Sequence, residues 1–127
     1  MASTDWQGLV ERVGGAAGIR RVLALFYRRL ADDPMVGFHF AGRDLDEIID
    51  GQLGFLLKAF GVASEFGGRH PSVAHRELAP ILRGQFDRRL TILEATLREE
   101  GLGDGDVAAW VGVERSMRSV IQADGGR

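Results

Sequence analysis

At 127 residues, with 45% hydrophobic and 27% charged side chains, the chain is sized for one soluble domain that buries about two-thirds of the surface its unfolded form exposes. Its 16 basic side chains face 18 acidic ones, a formal charge of −2 that disfavours a general nucleic-acid surface. Cysteine is absent, which excludes disulfides, thiolate metal sites and a cysteine nucleophile.

The opening residues, Met1 to Trp6, lack the basic and apolar regions of a secretory signal, and no apolar run approaches bilayer length. A cytoplasmic protein without a membrane segment is the expectation. From Asp5 to Val13 the pattern predicts a short helix, capped by Ser3 or Thr4, with Trp6, Leu9, Val10 and Val13 on one face. Gly14-Gly15 breaks it, because a glycine pair disfavours a helix interior. A second helix, Ala16 to Ala31, carries Ile19, Val22, Leu23, Phe26 and Leu30 on a core stripe, with Tyr27 at its edge. Arg20, Arg21, Arg28 and Arg29 fall largely on the other side and read as a solvated face.

Asp33-Pro34 opens a tight turn or short helix, Pro34 suiting a first helical position. Met35 to Gly42 is apolar, glycine-punctuated and too short for a strong helix. Asp44, with Glu47 three residues on, nearly matches a capping box and starts a helix that runs to about Phe60. Ile48, Gln52, Phe55 and Leu56 share one face of it, widened by Ile49, Leu53 and Phe60. Gln52 is the polar member of that row, and a buried amide without partners costs about 1–3 kcal/mol. Either it caps a neighbouring backbone or it faces a ligand.

The stretch from Phe66 to Leu78 is a loop with a glycine pair and a proline, running into a very short helix that Ser72 can cap. His75 sits within it, and a lone histidine near apolar positions is ordinarily a core or boundary residue. Pro80 stops that segment, Gly84 marks a joint, and Gln85 to Glu100 is a convincing helix with Phe86, Leu90, Leu93 and Leu97 in period and Gly101 as its stop. The run Gly101 to Gly105 resembles a phosphate loop superficially, but no strand precedes it and no lysine follows, so it is a turn. Asp104 or Asp106 caps a last helix bearing Val107, Trp110, Val111, Met117, Val120 and Ile121. The expected fold is all-α: one domain over 1–122, about six helices with two long ones at the C-terminal end, a loop-rich middle, and a frayed tail over 123–127.

Protein-only metal chemistry has little material here. His70 and His75 are five apart, off a single helical face, and no His-Glu-x-x-His is present. A serine-type triad lacks both a nucleophile elbow and a base. Glu99-Glu100 and Asp104/Asp106 fall at helix ends and read as caps or solvated charges. One arrangement explains the odd features together. Haem iron is held by a single imidazole in an apolar slot with aromatic walls. His75 can supply the imidazole, and Tyr27 and Gln52 the donors on the opposite side.

Order and spacing also carry a resemblance. The sequence is similar to the truncated haemoglobins, the two-on-two bacterial globins, over nearly its whole length. Gly14-Gly15 before the helix with Phe26-Tyr27, then Leu30-Ala31-Asp32-Asp33-Pro34, resembles the family's glycine joint and distal-tyrosine helix. Phe38-His39-Phe40-Ala41-Gly42 resembles its Phe-Phe-x-Gly corner, with Phe40 as the phenylalanine that packs on haem. Ile48 falls at the distal gate and Gln52 at a ligand-bonding glutamine; Phe66-Gly67-Gly68-Arg69 and Val73-Ala74-His75 resemble the loop and the proximal-histidine segment. Gly84-Gln85-Phe86 with Arg88-Arg89-Leu90 resembles members with a slightly longer joint. Three positions depart from the pattern: His39 for the first corner phenylalanine, Phe66 for a tyrosine, and Gly51 for a basic residue.

The resemblance implies a globin-like two-on-two sandwich around haem b (iron protoporphyrin IX), with His75 as proximal iron ligand and Tyr27 and Gln52 bonding a distal ligand. The implied pocket comprises Phe40, Ile48, Phe55, Leu56, Phe66, Leu78, Ile81, Phe86 and Leu90. Arg69, His70 and Arg83 are candidates for the haem propionates, or equally exposed charges. Reversible O2 binding, with CO and NO competing, is the implied function, in a monomer or dimer. An alternative is an NO dioxygenase or peroxidase-like enzyme served by a separate reductase. Another is a cofactor-free helical module acting through protein contacts. His39 as a sixth iron ligand is disfavoured, because the corner points it away.

Overall fold

A computed structural model of the chain describes residues 5–61 and 83–117. Leu9, Val10 and Val13 recur at helical spacing and are buried on α1 (Trp6–Val13). Its cap is Asp5, whose carboxylate accepts from the Gly8 N–H at 2.9 Å. The expected caps Ser3 and Thr4 lie outside the described residues. Gly14, at φ 110°, adopts the left-handed conformation that ends α1, and α2 (Gly15–Asp32) starts at once. All five residues of the expected stripe on α2 are buried, and so is Tyr27, at 3% exposure. The arginines opposite are not a bare solvated face: Arg20 pairs with Asp50, Arg21 with Glu100 and Arg29 with Glu99.

Asp33 ends α2 and turns its side chain back to accept from the Met35 N–H (2.9 Å) and from Arg88 (2.9 Å). The short apolar segment after it is a 3-10 helix, Gly37–Phe40. Asp44 then caps α3 (Leu45–Ala59), accepting from the Asp46 and Glu47 N–H groups. The rotation of α3 differs from the expected face. Ile49, Leu56 and Phe60 are the buried row, whereas Ile48, Gln52, Leu53 and Phe55 are only half-buried.

The helix expected from Gln85 begins two residues earlier, as α4 (Arg83–Glu99), so Gly84 lies in its first turn and is no joint. Its stop at Gly101 uses two reverse bonds, Leu102 N–H to Leu97 C=O and Gly101 N–H to Arg98 C=O. The last helix, α5 (Asp104–Ser116), has Gly103 at its cap position, so neither Asp104 nor Asp106 caps it. Those carboxylates are taken by arginines: Asp104 by Arg98, and Asp106 by a two-pronged contact from Arg12 at 2.7 and 2.9 Å. Glu99 and Glu100 are likewise paired, by Arg29 and Arg21.

The architecture is all-α, as expected, with five α-helices and a 3-10 helix among the described residues. Among the described residues the longest helix is α2, at 18 residues, with α4 at 17. It packs against α1, α3, α4 and the 3-10 helix, while α5 packs on α4. An aromatic seam ties the elements together: Trp6 stacks on Phe60 at 4.6 Å, and Phe60 meets Trp110 edge-on at 5.7 Å. No helix among the described residues is long and apolar enough to cross a membrane.

Candidate functional site

Four polar side chains meet where α2, α3, α4 and α5 converge. Tyr27 comes from α2, Gln52 from α3, Arg89 from α4 and Glu114 from α5. Arg89 and Glu114 are buried, at 7% and 1% exposure, and their charges are compensated within the site. The Arg89 Nε and Nη2 donate to Glu114 Oε2 at 3.2 and 3.1 Å. Nη2 also donates to the Tyr27 hydroxyl at 3.0 Å. Gln52 Nε2 donates to the other carboxylate oxygen, Oε1, at 2.7 Å. The guanidinium lies 5.0 Å from the Phe26 ring centre and 5.3 Å from that of Tyr27, within cation–π range.

The electrostatics follow from that geometry. Burial pushes the Tyr27 phenol above its ordinary value, against the pull of Arg89. Burial alone would lower the Arg89 guanidinium, but Glu114 and Tyr27 together outweigh it and hold Arg89 above its ordinary value. Tyr27 is therefore a neutral phenol beside a fixed cation. A guanidinium only donates, so the Tyr27 oxygen is the acceptor of that bond and its own hydrogen points to a different partner. A carboxylate only accepts, so the Gln52 atom on Glu114 is the amide nitrogen, which keeps a second N–H.

Beside Tyr27 lies an apolar side chain. Phe40 meets the Tyr27 ring edge-on at 5.9 Å and 75°, and it is half-buried, like Ile48 and Phe55. Leu56, Phe86 and Leu90 sit deeper, in the main core. His75, Phe66, Leu78, Ile81, Arg69 and His70 lie outside the described residues, as does the side chain of Arg83. His39 is buried, with Nε2 3.3 Å from the Gln85 side-chain oxygen and no partner for Nδ1 among the described residues. Burial pushes its pKa down, so the ring is neutral and tethered to α4.

Sequence reasoning singled out Tyr27 and Gln52 but missed Arg89 and Glu114. The signal was there. Glu114 falls four residues after Trp110 and three after Val111, and Arg89 three after Phe86 and four before Leu93, each on an apolar stripe. Two opposite charges on the core stripes of neighbouring helices read as a buried pair.

A haem asks for an apolar wall on its faces and for donors, not carboxylates, towards the gas it carries. Half-buried Phe40, beside the Tyr27 ring, and Ile48 and Phe55, one turn either side of Gln52 on α3, suit the first. The remaining hydrogens of Tyr27 and Gln52 suit the second, and the Glu114 carboxylate beside them is neutralised by Arg89. The residues present fit such a group.

Comparison with known proteins agrees. The profile of the bacterial-like globin family matches residues 8–122. A group 1 truncated hemoglobin of Synechocystis sp. is 33% identical over 119 residues, covering 89% of this chain and 96% of its own. Among solved structures, the Fe(III) form of the truncated hemoglobin from Tetrahymena pyriformis superposes with a TM-score of 0.80 at 25% identity, covering 91% of this chain and 98% of its own. The 2/2 hemoglobin from a Synechococcus species, in the cyanomet state with covalently attached heme, gives 0.74 at 26% identity over 89% and 97%. The family profile, the helical fold and these likenesses place the chain in the bacterial-like globin family, among the truncated haemoglobins, whose membership implies haem-based gas binding.

Proposed function

We propose that the chain holds haem b through the His75 imidazole and reversibly binds O2, with CO and NO as competing ligands. The observation that carries this reading is the commitment of the two distal groups. Each spends one hydrogen-bonding function on the Arg89–Glu114 pair and keeps one hydrogen to give: the Tyr27 O–H and the second Gln52 N–H. When bound, the haem supplies the iron at which a diatomic gas is taken up. The chain supplies the rest. Phe40, Ile48 and Phe55 line the slot and exclude water. Tyr27 and Gln52 direct hydrogens at a gas whose outer atom carries partial negative charge, favouring O2, which polarises strongly, over CO, which does not.

The test is an ultraviolet–visible spectrum of the purified protein with haemin, beside a His75→Gly variant. A sharp Soret band that shifts with dithionite and CO, and is disturbed in the variant, supports the reading; no stoichiometric haemin uptake would sink it. Within the loaded protein, Tyr27→Phe removes one donor, worth about 1.4 kcal/mol, and should speed O2 release about tenfold. Flash photolysis or rapid mixing measures that rate, and an unchanged value would remove Tyr27 from its assigned role.

A further inference from the structure

The geometry points to Arg89 and Glu114 as positioning residues for the distal site: one buried ion pair, from α4 and α5, aims both gas-bonding groups. This inference rests on the proposed role of Tyr27 and Gln52, each of which is hydrogen-bonded to a side chain of another helix. A phenol can donate or accept, and an amide can present either end, so each has several rotamers and two polarities to choose from. The pair removes that choice. By donating Nη2 to the Tyr27 oxygen at 3.0 Å, Arg89 takes up an acceptor position of the phenol and turns its hydrogen away from the pair, free to donate towards the slot. By accepting from Gln52 at 2.7 Å, Glu114 sets which end of the amide is nitrogen. Arg89 also lies over the Tyr27 and Phe26 rings, which restrains the phenol ring as well as its oxygen.

Burial of the pair argues against a merely solubilising part. Both charges sit in the core, and well-packed apolar side chains would serve packing equally or better. What apolar side chains would lack is the ability to polarise Tyr27 and to orient Gln52. The inference also explains why the two distal residues, on α2 and α3, are bonded to α4 and α5 and not to each other.

The test is a coupling cycle in the haem-loaded full chain. Tyr27→Phe is made in the natural background and in Arg89→Met/Glu114→Leu, where both charges go together so that neither is stranded. If the pair aims Tyr27, the roughly tenfold acceleration of O2 release falls to about twofold or less in the charge-free background, because the phenol no longer points its hydrogen reliably. Equal acceleration in both backgrounds overturns the proposal. An independent readout comes from composition: the chain has one tyrosine, so tyrosine labelled with carbon-13 at the ring Cζ gives one resonance in the CO-bound protein. That resonance should move in the charge-free variant. Should Tyr27→Phe have no effect even in the natural background, the distal reading of Tyr27 falls by itself. The positioning of Tyr27 then falls with it, because a group that bonds no gas has nothing to be aimed at, and a moved resonance records only the lost Arg89–Tyr27 contact. If the double variant does not fold, Arg89→Met/Glu114→Gln takes its place. It removes the donor to the Tyr27 oxygen and leaves no charge stranded, and a full-sized Tyr27→Phe effect in that background overturns the proposal equally.

Discussion

Arg89 removed alone leaves the Glu114 carboxylate in the core with, among the described residues, only the Gln52 amide as a hydrogen-bond partner. Breaking one side of a buried pair costs about 3–5 kcal/mol, whereas replacing both partners by apolar groups of similar volume is often neutral. Arg89→Met should therefore lower unfolding stability by several kcal/mol, and Arg89→Met/Glu114→Leu by far less than the two single losses summed. Urea unfolding of the two single variants and the double one measures this; additive losses would contradict the pairing. The same scale explains what was legible early. Tyr27 and Gln52 stood out because each is a polar side chain on or beside an apolar stripe. Arg89 and Glu114 stand on such stripes too, but Arg89 sits in the run Arg88-Arg89, where a solvated charge is the ordinary reading. Arg88 follows that reading in part, being half-exposed on Asp33.

At the scale of elements, most short-range signals hold, the Gly84 joint and the Asp104 or Asp106 cap excepted, whereas the rotation of α3 does not. The Gly14 break, the Asp44 cap and the Gly101 stop depend on contacts within a few residues and fell where the pattern put them. The face of α3 presented to the core depends on what α2 offers it, and it came out turned, with Ile49 and Leu56 inward. Gly18 shows how tightly the first two helices are joined. A Cβ there would lie 2.0 Å from the Val13 carbonyl oxygen, which is backbone and cannot move aside. Gly18→Ala should thus cost about 1–3 kcal/mol by overpacking, despite alanine's better helix propensity, and thermal unfolding would reveal it. The turn after α2 is acid-sensitive. The Arg88 guanidinium, helped by the Met35 N–H, holds the Asp33 carboxyl below the usual carboxylate range. A carboxyl depressed in the fold lends stability that is complete above its unfolded value, near pH 4, and lost as the pH falls through its folded value. Asp33→Asn should lower the melting temperature at pH 7 and flatten its fall towards pH 3. An acid limb identical to that of the natural protein would show that Asp33 contributes nothing to it.

For the whole molecule, the largest lever is the group the fold is built to hold. A ligand bound only by the native state stabilises it by about 4 kcal/mol when present at a thousand times its dissociation constant. In a domain of this size that amounts to roughly 10 °C or more in melting temperature. Haem-free protein should accordingly melt well below the loaded form. Equal melting of the two, followed by circular dichroism, would mean that half-buried Phe40, Ile48 and Phe55 gain nothing from haem.

Helix identity, most boundaries, the core stripes of α1, α2 and α4 and the all-α class were determined by the sequence itself, because periodicity, caps and glycine stops act over a few residues. The resemblance to truncated haemoglobins was equally legible, since order and spacing along the chain carry it. What only the tertiary structure decided are partners brought together from afar: Arg12 with Asp106, 94 residues apart, and Tyr27 and Gln52 with Arg89 and Glu114, each 62 apart. A charge's partner is set by the packing of whole helices, and the energy that keeps it buried exists only once the opposite charge has arrived.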